Sequence, residues 1–301
     1  MEKVLISQGP DSGAVFHLGN PSKEGKIIDS GEAWANLSHL ALLQVKGKDR
    51  LNWLNDLTTQ LTLELGKIWQ RAFILNAQGR IRFDLYLMDN GECTYLLTEN
   101  QYLAELEKFL NSMKFMLQVE VINLIGQRKI LFLNANGELA GKSDNQLKVL
   151  TPDEFQSEIL LLKIENEVGT WALEADRIAR KNFRMVIDGD EKTIPNEVDQ
   201  LGKAVHMKKS CYPGQETVAK TFNLGAPPRL LKLLHFDGMQ VDLPAIGSEI
   251  KSDGAVIGRM GSSARHHLLG NIGLALIKRS FLNSHPNANM LIDEISAVVE
   301  Q

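Results

Sequence analysis

The sequence predicts an α+β protein of two or three domains that ends in a small antiparallel barrel or sandwich. Three observations carry that reading. Apolar residues recur at helical spacing in the first two thirds of the chain, as in Leu103, Leu106, Leu110 and Met113. Among them lies a hairpin. Trp69 to Leu75 leads through the turn Asn76-Ala77-Gln78-Gly79 into Arg80 to Met88, where Ile81, Phe83, Leu85 and Leu87 face one way and Arg80, Arg82, Asp84 and Tyr86 the other. Beyond Gly225-Ala226-Pro227-Pro228, a linker that cannot continue a helix, short apolar runs alternate with turns: Leu230 to Phe236, Glu249 to Ser252, Ala255 to Met260, Gly270 to Ile277 and Leu291 to Val299. At 301 residues the chain is long for a single core.

The remaining elements follow from local punctuation. After a polar opening, Leu40 to Val45 reads as a strand ended by Gly47, and Asp49 can cap a helix carrying Leu51, Trp53, Leu54 and Leu57. Thr94 to Thr98 is a third strand before a helix that begins near Asn100. Strands at Leu117 to Leu124 and Lys129 to Asn134 precede a loose segment from Gly137 to Asn145. Thr151-Pro152-Asp153-Glu154 has a hydroxyl cap, a first-turn proline and a glutamate three residues on, so a helix starts there, with Phe155, Ile159 and Leu162 on its buried face. Trp171 to Lys181 is another helix, running into a basic group of Arg177, Arg180, Lys181 and Arg184.

Composition narrows the function classes. With 33 basic and 37 acidic side chains the net charge is −4, which steers the chain neither to DNA nor to an anionic membrane surface. No run approaches the length of a membrane span and the opening residues lack a signal-peptide core, so the expected location is cytoplasmic. Dinucleotide, P-loop, esterase-elbow and HExxH motifs are missing, and the seven histidines show no ligand spacing, so no protein-held metal is expected. Ser38-His39 reads as a turn or strand-edge pair.

Of the two cysteines, Cys93 sits at a strand start with no charged constellation and reads as structural. Cys211 lies in Lys208-Lys209-Ser210-Cys211-Tyr212-Pro213-Gly214-Gln215-Glu216, where Pro213-Gly214 forces a turn and Gln215 to Phe222 reads as a helix. A thiol just before a helix N-terminus and close to lysines is biased toward thiolate. The plainer alternative is a small buried hydrophobe at a tight turn. Residues 203–220 hold four lysines against the single acid Glu216, a local positive patch fit for an anionic ligand.

Lys209-Ser210-Cys211-Tyr212-Pro213-Gly214-Gln215-Glu216, continuing through Thr217-Val218-Ala219-Lys220, resembles the K-G-C-Y-x-G-Q-E signature of YgfZ-type proteins. These are folate-binding relatives of the glycine-cleavage T-protein (aminomethyltransferase), linked to assembly or repair of iron–sulfur clusters. Weaker likenesses follow in the expected order: Leu37-Ser38-His39 with Val45-Lys46-Gly47-Lys48-Asp49, Leu75 to Ile81, Arg177-Ile178, Ile194-Pro195-Asn196-Glu197 and Ser262-Ser263-Ala264-Arg265. Ser210 replaces the signature glycine. Ala179 stands where T-proteins carry a pterin-gripping glutamate, and Phe83-Asp84 stands for their acidic pair. The loss of that glutamate and the presence of the cysteine both point to the YgfZ-type branch.

The resemblance implies a three-domain T-protein-like cloverleaf around a central cavity with a C-terminal antiparallel β-barrel. Its first domain would be residues 1–46 plus 122–224, with 47–121 inserted and 225–301 forming the barrel. It implies tetrahydrofolate or a derivative as cofactor, with Asp84, Lys208, Arg177, Glu197 and Arg229 as contacts. Cys211 is then the functional thiol, and Lys209, Tyr212, Gly214, Gln215 and Glu216 shape its loop. Iron–sulfur enzymes or assembly proteins are the implied partners, with any cluster transient and shared. Links of the family to tRNA modification would run through such enzymes. Two alternatives stay open: a tetrahydrofolate-dependent aminomethyl or one-carbon transferase, and a non-catalytic scaffold for a client enzyme.

Overall fold

The computed structural model describes residues 3–134, 147–209, 211–225, 227–239, 242–286 and 288–300. Ser210, Ala226 of the linker and the segment expected to be loose, from Gly137 to Asn145, lie outside them.

The N-terminal stretch, read from sequence only as polar, contains the short strands β1 (Val4–Leu5) and β2 (Val15–His17), helix α1 (Pro21–Ser30) and β3 (Trp34–Asn36). Asn20 caps α1 by accepting from the Lys23 amide. Then come β4 (Ala41–Lys46), α2 (Arg50–Leu57), β5 (Gln70–Leu75), β6 (Ile81–Asp89), β7 (Cys93–Thr98), α3 (Leu103–Ser112) and β8 (Glu120–Asn123). The strands of this group form one antiparallel sheet in the order β5-β6-β7-β4-β8. It takes strands from both sides of the segment 47–121. One face, bearing Leu43, Val45, Ala72, Ile74, Phe83, Leu85 and Leu87, packs on α2 and α3. Asp49 stands at the start of α2 but makes no cap; its carboxylate accepts from the Gln118 amide at 2.7 Å, tying the helix entry to the approach of β8.

Strands β9 (Lys129–Leu133) and β10 (Leu147–Leu150) join β3 in a three-stranded antiparallel sheet. Helix α4 (Pro152–Leu161) begins with the expected capping box between Thr151 and Glu154. Helices α5 (Thr170–Ala179), α6 (Met185–Asp188) and α7 (Gln215–Leu224) follow. After the linker come β11 (Arg229–Phe236), β12 (Glu249–Ser252), β13 (Ala255–His266), β14 (Gly270–Lys278), α8 (Arg279–Ser284), β15 (Met290–Ile292) and β16 (Ile295–Val299). These strands close an antiparallel barrel in the order β11-β14-β13-β12-β15-β16. The fold is therefore α+β with a C-terminal barrel, and the barrel-or-sandwich choice resolves to the barrel. The run expected from Leu291 to Val299 is broken by Asp293 and Glu294, both at positive φ, into a tight hairpin. No helix among the described residues is long and apolar enough to cross a membrane.

Helix α5 has three contact faces. Ala172 turns toward α1, where Ile28 and Phe132 share its cluster. Ala175 and Ile178 pack on the barrel residues Leu233, Ala264, Ile272 and Leu274. Leu173, Glu174 and Arg177 face a cavity. Ala175 and Ile178 lie three apart, as do Glu174 and Arg177, so each pair presents a common face.

Candidate functional site

A cavity of about 260 Å³ lies between the Asp84–Tyr86 face of β6 and helix α5. Leu40, Leu97, Phe132, Leu147 and Phe183 give it apolar walls. Its polar lining is dense: the arginines Arg71, Arg177, Arg180 and Arg184 face the acids Asp11, Asp84, Glu99, Glu174 and Asp176. The alternation of β6 places Asp84 and Tyr86 on this face and Phe83 and Leu85 in the core behind it, as the sequence pattern requires.

The charges are paired closely. Arg71 on β5 forks Asp84 through Nε to Oδ1 at 2.8 Å and Nη2 to Oδ2 at 2.5 Å, and also donates to the Phe183 carbonyl at 2.6 Å. Arg184 grips Glu99 at 2.6 and 2.8 Å and Asp11 at 2.9 and 2.6 Å. Arg177 forks Glu174 at 3.0 and 2.8 Å and reaches the buried Asp188 at 2.7 Å. Burial opposes these charges, yet the carboxylates around Arg177 and Arg184 hold both guanidiniums more firmly protonated than usual. For Asp11, burial alone would raise the pKa; hydrogen bonds from His39 and Arg184 win and hold it well below the usual carboxylate range. Burial beside Asp84 pushes the Tyr102 phenol up to about 12.

Two polar groups at the cavity stand apart from this pairing. Arg180 donates only its Nε, to both oxygens of Asp176 at 2.9 Å, so among the described residues its two Nη groups have no partner. His39 places Nε2 at 3.1 Å from Asp11 Oδ1, while its buried Nδ1 has no hydrogen-bond partner among the described residues. Neither residue was singled out as a site from sequence. Arg180 belonged to a recognised basic group, and His39 read as a turn residue.

The expected site residues divide into three places. Asp84 and Arg177 line the cavity. Glu197 and Arg229 do not; they meet each other at 2.8 Å, with Arg229 also on Asp190 at 2.5 Å, in a clamp joining β11 to the segment before it. The signature segment forms a third place, and no described residue of 203–220 lines the cavity.

Within that segment the side chains point in different directions. Cys211 is exposed, as are Lys208 and Glu216. Lys209 turns inward instead of toward the thiol: its ammonium donates to the carbonyls of Asn55, Thr58 and Gln60, closing the C-terminal end of α2. Burial pulls its pKa down to about 8, against the opposing influence of Asp56 and Cys211, which favour the charged form. Tyr212 is buried with Phe73, Leu75, Ile81 and Phe183. Phe183 also walls the cavity, so the loop and the cavity rest on one apolar floor. Gln215 donates to the Lys209 carbonyl at 3.4 Å. Gly214 has φ +78°, and a Cβ there would lie 2.4 Å from the Asn76 carbonyl and 2.5 Å from Gly79 Cα. The signature turn thus docks backbone to backbone on the hairpin turn, and only glycine permits that approach.

Ala179, at the position of the absent glutamate, packs toward the barrel with Ala175 and Ile178. Glu174, on the same helix, supplies a carboxylate to the cavity instead. Sequence reasoning missed it, although Leu173, Glu174, Arg177 and Arg180 form one stripe at helical spacing. Arg71 was missed as well, because it shares its face of β5 with the buried Phe73 and Leu75 and no polar alternation marks it. Among the described residues no three His, Cys, Asp or Glu side chains gather as a metal-holding group.

No family model and no curated protein matches the chain. Among solved structures it is similar to the glycine cleavage system aminomethyltransferase T from Bartonella henselae, with a TM-score of 0.78 and 17% identity over 98% of this chain and 92% of that one. At that identity the likeness establishes a shared fold: this chain has the T-protein architecture.

Proposed function

We propose that the cavity binds a reduced folate, tetrahydrofolate or a derivative, and that the protein supports assembly or repair of iron–sulfur enzymes through Cys211. The observation that carries the first half is the polarity of the cavity in a T-protein-like fold. Phe132, Phe183 and Leu40 offer flat apolar walls to a ring, and Asp84 and Glu174 offer carboxylates to its N–H groups. Asp84 Oδ2 accepts from Arg71 and, at 3.5 Å, from the Met185 amide, whereas Oδ1 accepts from Arg71 Nε and keeps a lone pair for a ligand donor. The unpaired Nη edge of Arg180 suits the acidic tail of a folate better than the inward-turned Lys209 does. When bound, a reduced folate supplies the nitrogens that carry a one-carbon unit; the chain's part is to grip, orient and shield it.

The second half rests on the signature around an exposed thiol. The chain does not fit a resident cluster, which takes about four thiolates. Cys93 is buried and accepts a hydrogen bond from Gln44 at 3.0 Å, and Cys211 lies on the surface alone. Any cluster is therefore a partner's, met in passing.

The fold likeness also supports a second reading, folate-dependent aminomethyl transfer. Against it, every carboxylate lining the cavity is already engaged by an arginine, which leaves no obvious acid for a leaving amine. Formation of methylenetetrahydrofolate from an aminomethyl donor would favour it. Calorimetric titration of 5-formyltetrahydrofolate tests the leading reading: heat is expected with the wild type and weaker binding with Asp84→Ala and Arg180→Ala. No heat with the wild type overturns the folate half. Unchanged iron–sulfur enzyme activity under oxidative stress in cells carrying Cys211→Ala overturns the thiol half.

A further inference from the structure

We infer that Lys209 is a positioning residue for the Cys211 thiol: its ammonium is the resident cation of a carbonyl cage at the end of α2, and seating it there fixes the arch on which the thiol stands. The inference rests on Cys211 being the functional thiol and adds what holds that thiol in place.

An ammonium carries three N–H donors and no acceptor. Those of Lys209 go to the main-chain carbonyls of Asn55, Thr58 and Gln60, the last two at 2.7 Å each. The residue is only 5% exposed, so water does not compete for them. Within the described part of the chain every donor of Lys209 is thereby engaged. None is left for the thiol or for an anion, and the lysine acts through where it holds its own backbone.

The acceptors explain why a cation is needed. Carbonyls at the C-terminal end of a helix lack intrahelical partners and carry the negative end of its dipole. Helix α2 has no basic residue in its own last turn, so Lys209 supplies the charge from far along the chain. Three carbonyls converging on one point make a pyramidal seat that suits an ammonium. A guanidinium spreads its donors in a plane and does not fill it.

The effect reaches the thiol through two peptide links. Cys211 lies two residues beyond Lys209, a reach of about 7 Å at most. Tyr212, on its other side, is 8% exposed and buried with Phe183. Gln215 ties the start of α7 back to the Lys209 carbonyl at 3.4 Å. The exposed thiol therefore stands between two sunken anchors, a charge and a ring. Its ordering is settled during folding and is not left for a partner to impose on docking.

A nitroxide attached to Cys211 through a disulfide reads the arch directly, because Cys93 is buried and escapes labelling. The wild type should give the line shape of a restricted label, and Lys209→Ala should lose it. Methylammonium, the severed end of the lysine side chain, should restore the restricted shape in Lys209→Ala. Tetramethylammonium has no N–H and should not. Lys209→Arg keeps the charge without the ammonium shape, and it too should free the label. An unchanged label in either variant, or no response to methylammonium, overturns the proposal; if Lys209→Ala does not fold, Lys209→Arg alone decides. These spectra do not depend on what the thiol does. Unchanged iron–sulfur enzyme activity with Cys211→Ala would remove the thiol reading and leave the label result standing.

Discussion

Asp188 gathers donors from three parts of the chain. Its Oδ2 accepts from Arg177 Nη1 at 2.7 Å and the Arg184 amide at 2.9 Å; its Oδ1 accepts from the amide and hydroxyl of Ser262 at 2.8 and 2.6 Å. Removing one member of a buried charged set leaves the rest unpaired, so Asp188→Ala should cost about 3 kcal/mol, read by urea denaturation. Gly214→Ala adds left-handed strain to a clash with the hairpin backbone and should cost about 2 kcal/mol, with the loss felt first as faster proteolysis near the signature turn. The cysteines differ in exposure: a thiol reagent should modify Cys211 quickly in the native protein and Cys93 only after denaturation. At this scale Cys211, Asp84 and Arg177 were legible because each sits in a local pattern. Asp11 and His39 were not, because they are 28 residues apart and meet only through the fold. The inward turn of Lys209 was hidden for the same reason, since its acceptors lie about 150 residues earlier.

Among the elements, those with their own start and stop signals were readable. Helix α4 is the clearest, because its capping box is a local bond set; Thr151→Ala removes two of those bonds and should lower stability by about 1 kcal/mol, measured as a shift in denaturation midpoint. The hairpin β5–β6 was equally legible through its alternation, down to which face carries Asp84. The N-terminal strands β1 to β3 were not, since two or three residues carry too little periodicity to register. The final hairpin was read as one run because Asp293 and Glu294 adopt positive φ without a glycine to announce the turn.

For the whole molecule, the barrel is joined to the rest by ion pairs as well as by packing. Arg229 bridges Asp190 and Glu197, and although burial opposes it, this pairing holds the Asp190 carboxyl down at about 2. A carboxyl depressed in the folded state contributes stability that is present above its unfolded value near 4 and is lost as pH falls through the folded value. Asp11 and Asp89 are depressed in the same direction. The melting temperature should therefore change little from these groups above pH 5 and fall steeply between about pH 4 and 2. Arg229→Met should lower it at neutral pH and soften that acid slope.

Helix α5 is a rod shared by two rooms: Glu174 and Arg177 look into one, while Ala175 and Ile178 lean on the staves of the other. A guest in the first room stiffens the wall of the second. Amide deuterium uptake along residues 255–278 should slow when the hollow fills, even though no residue there touches the guest.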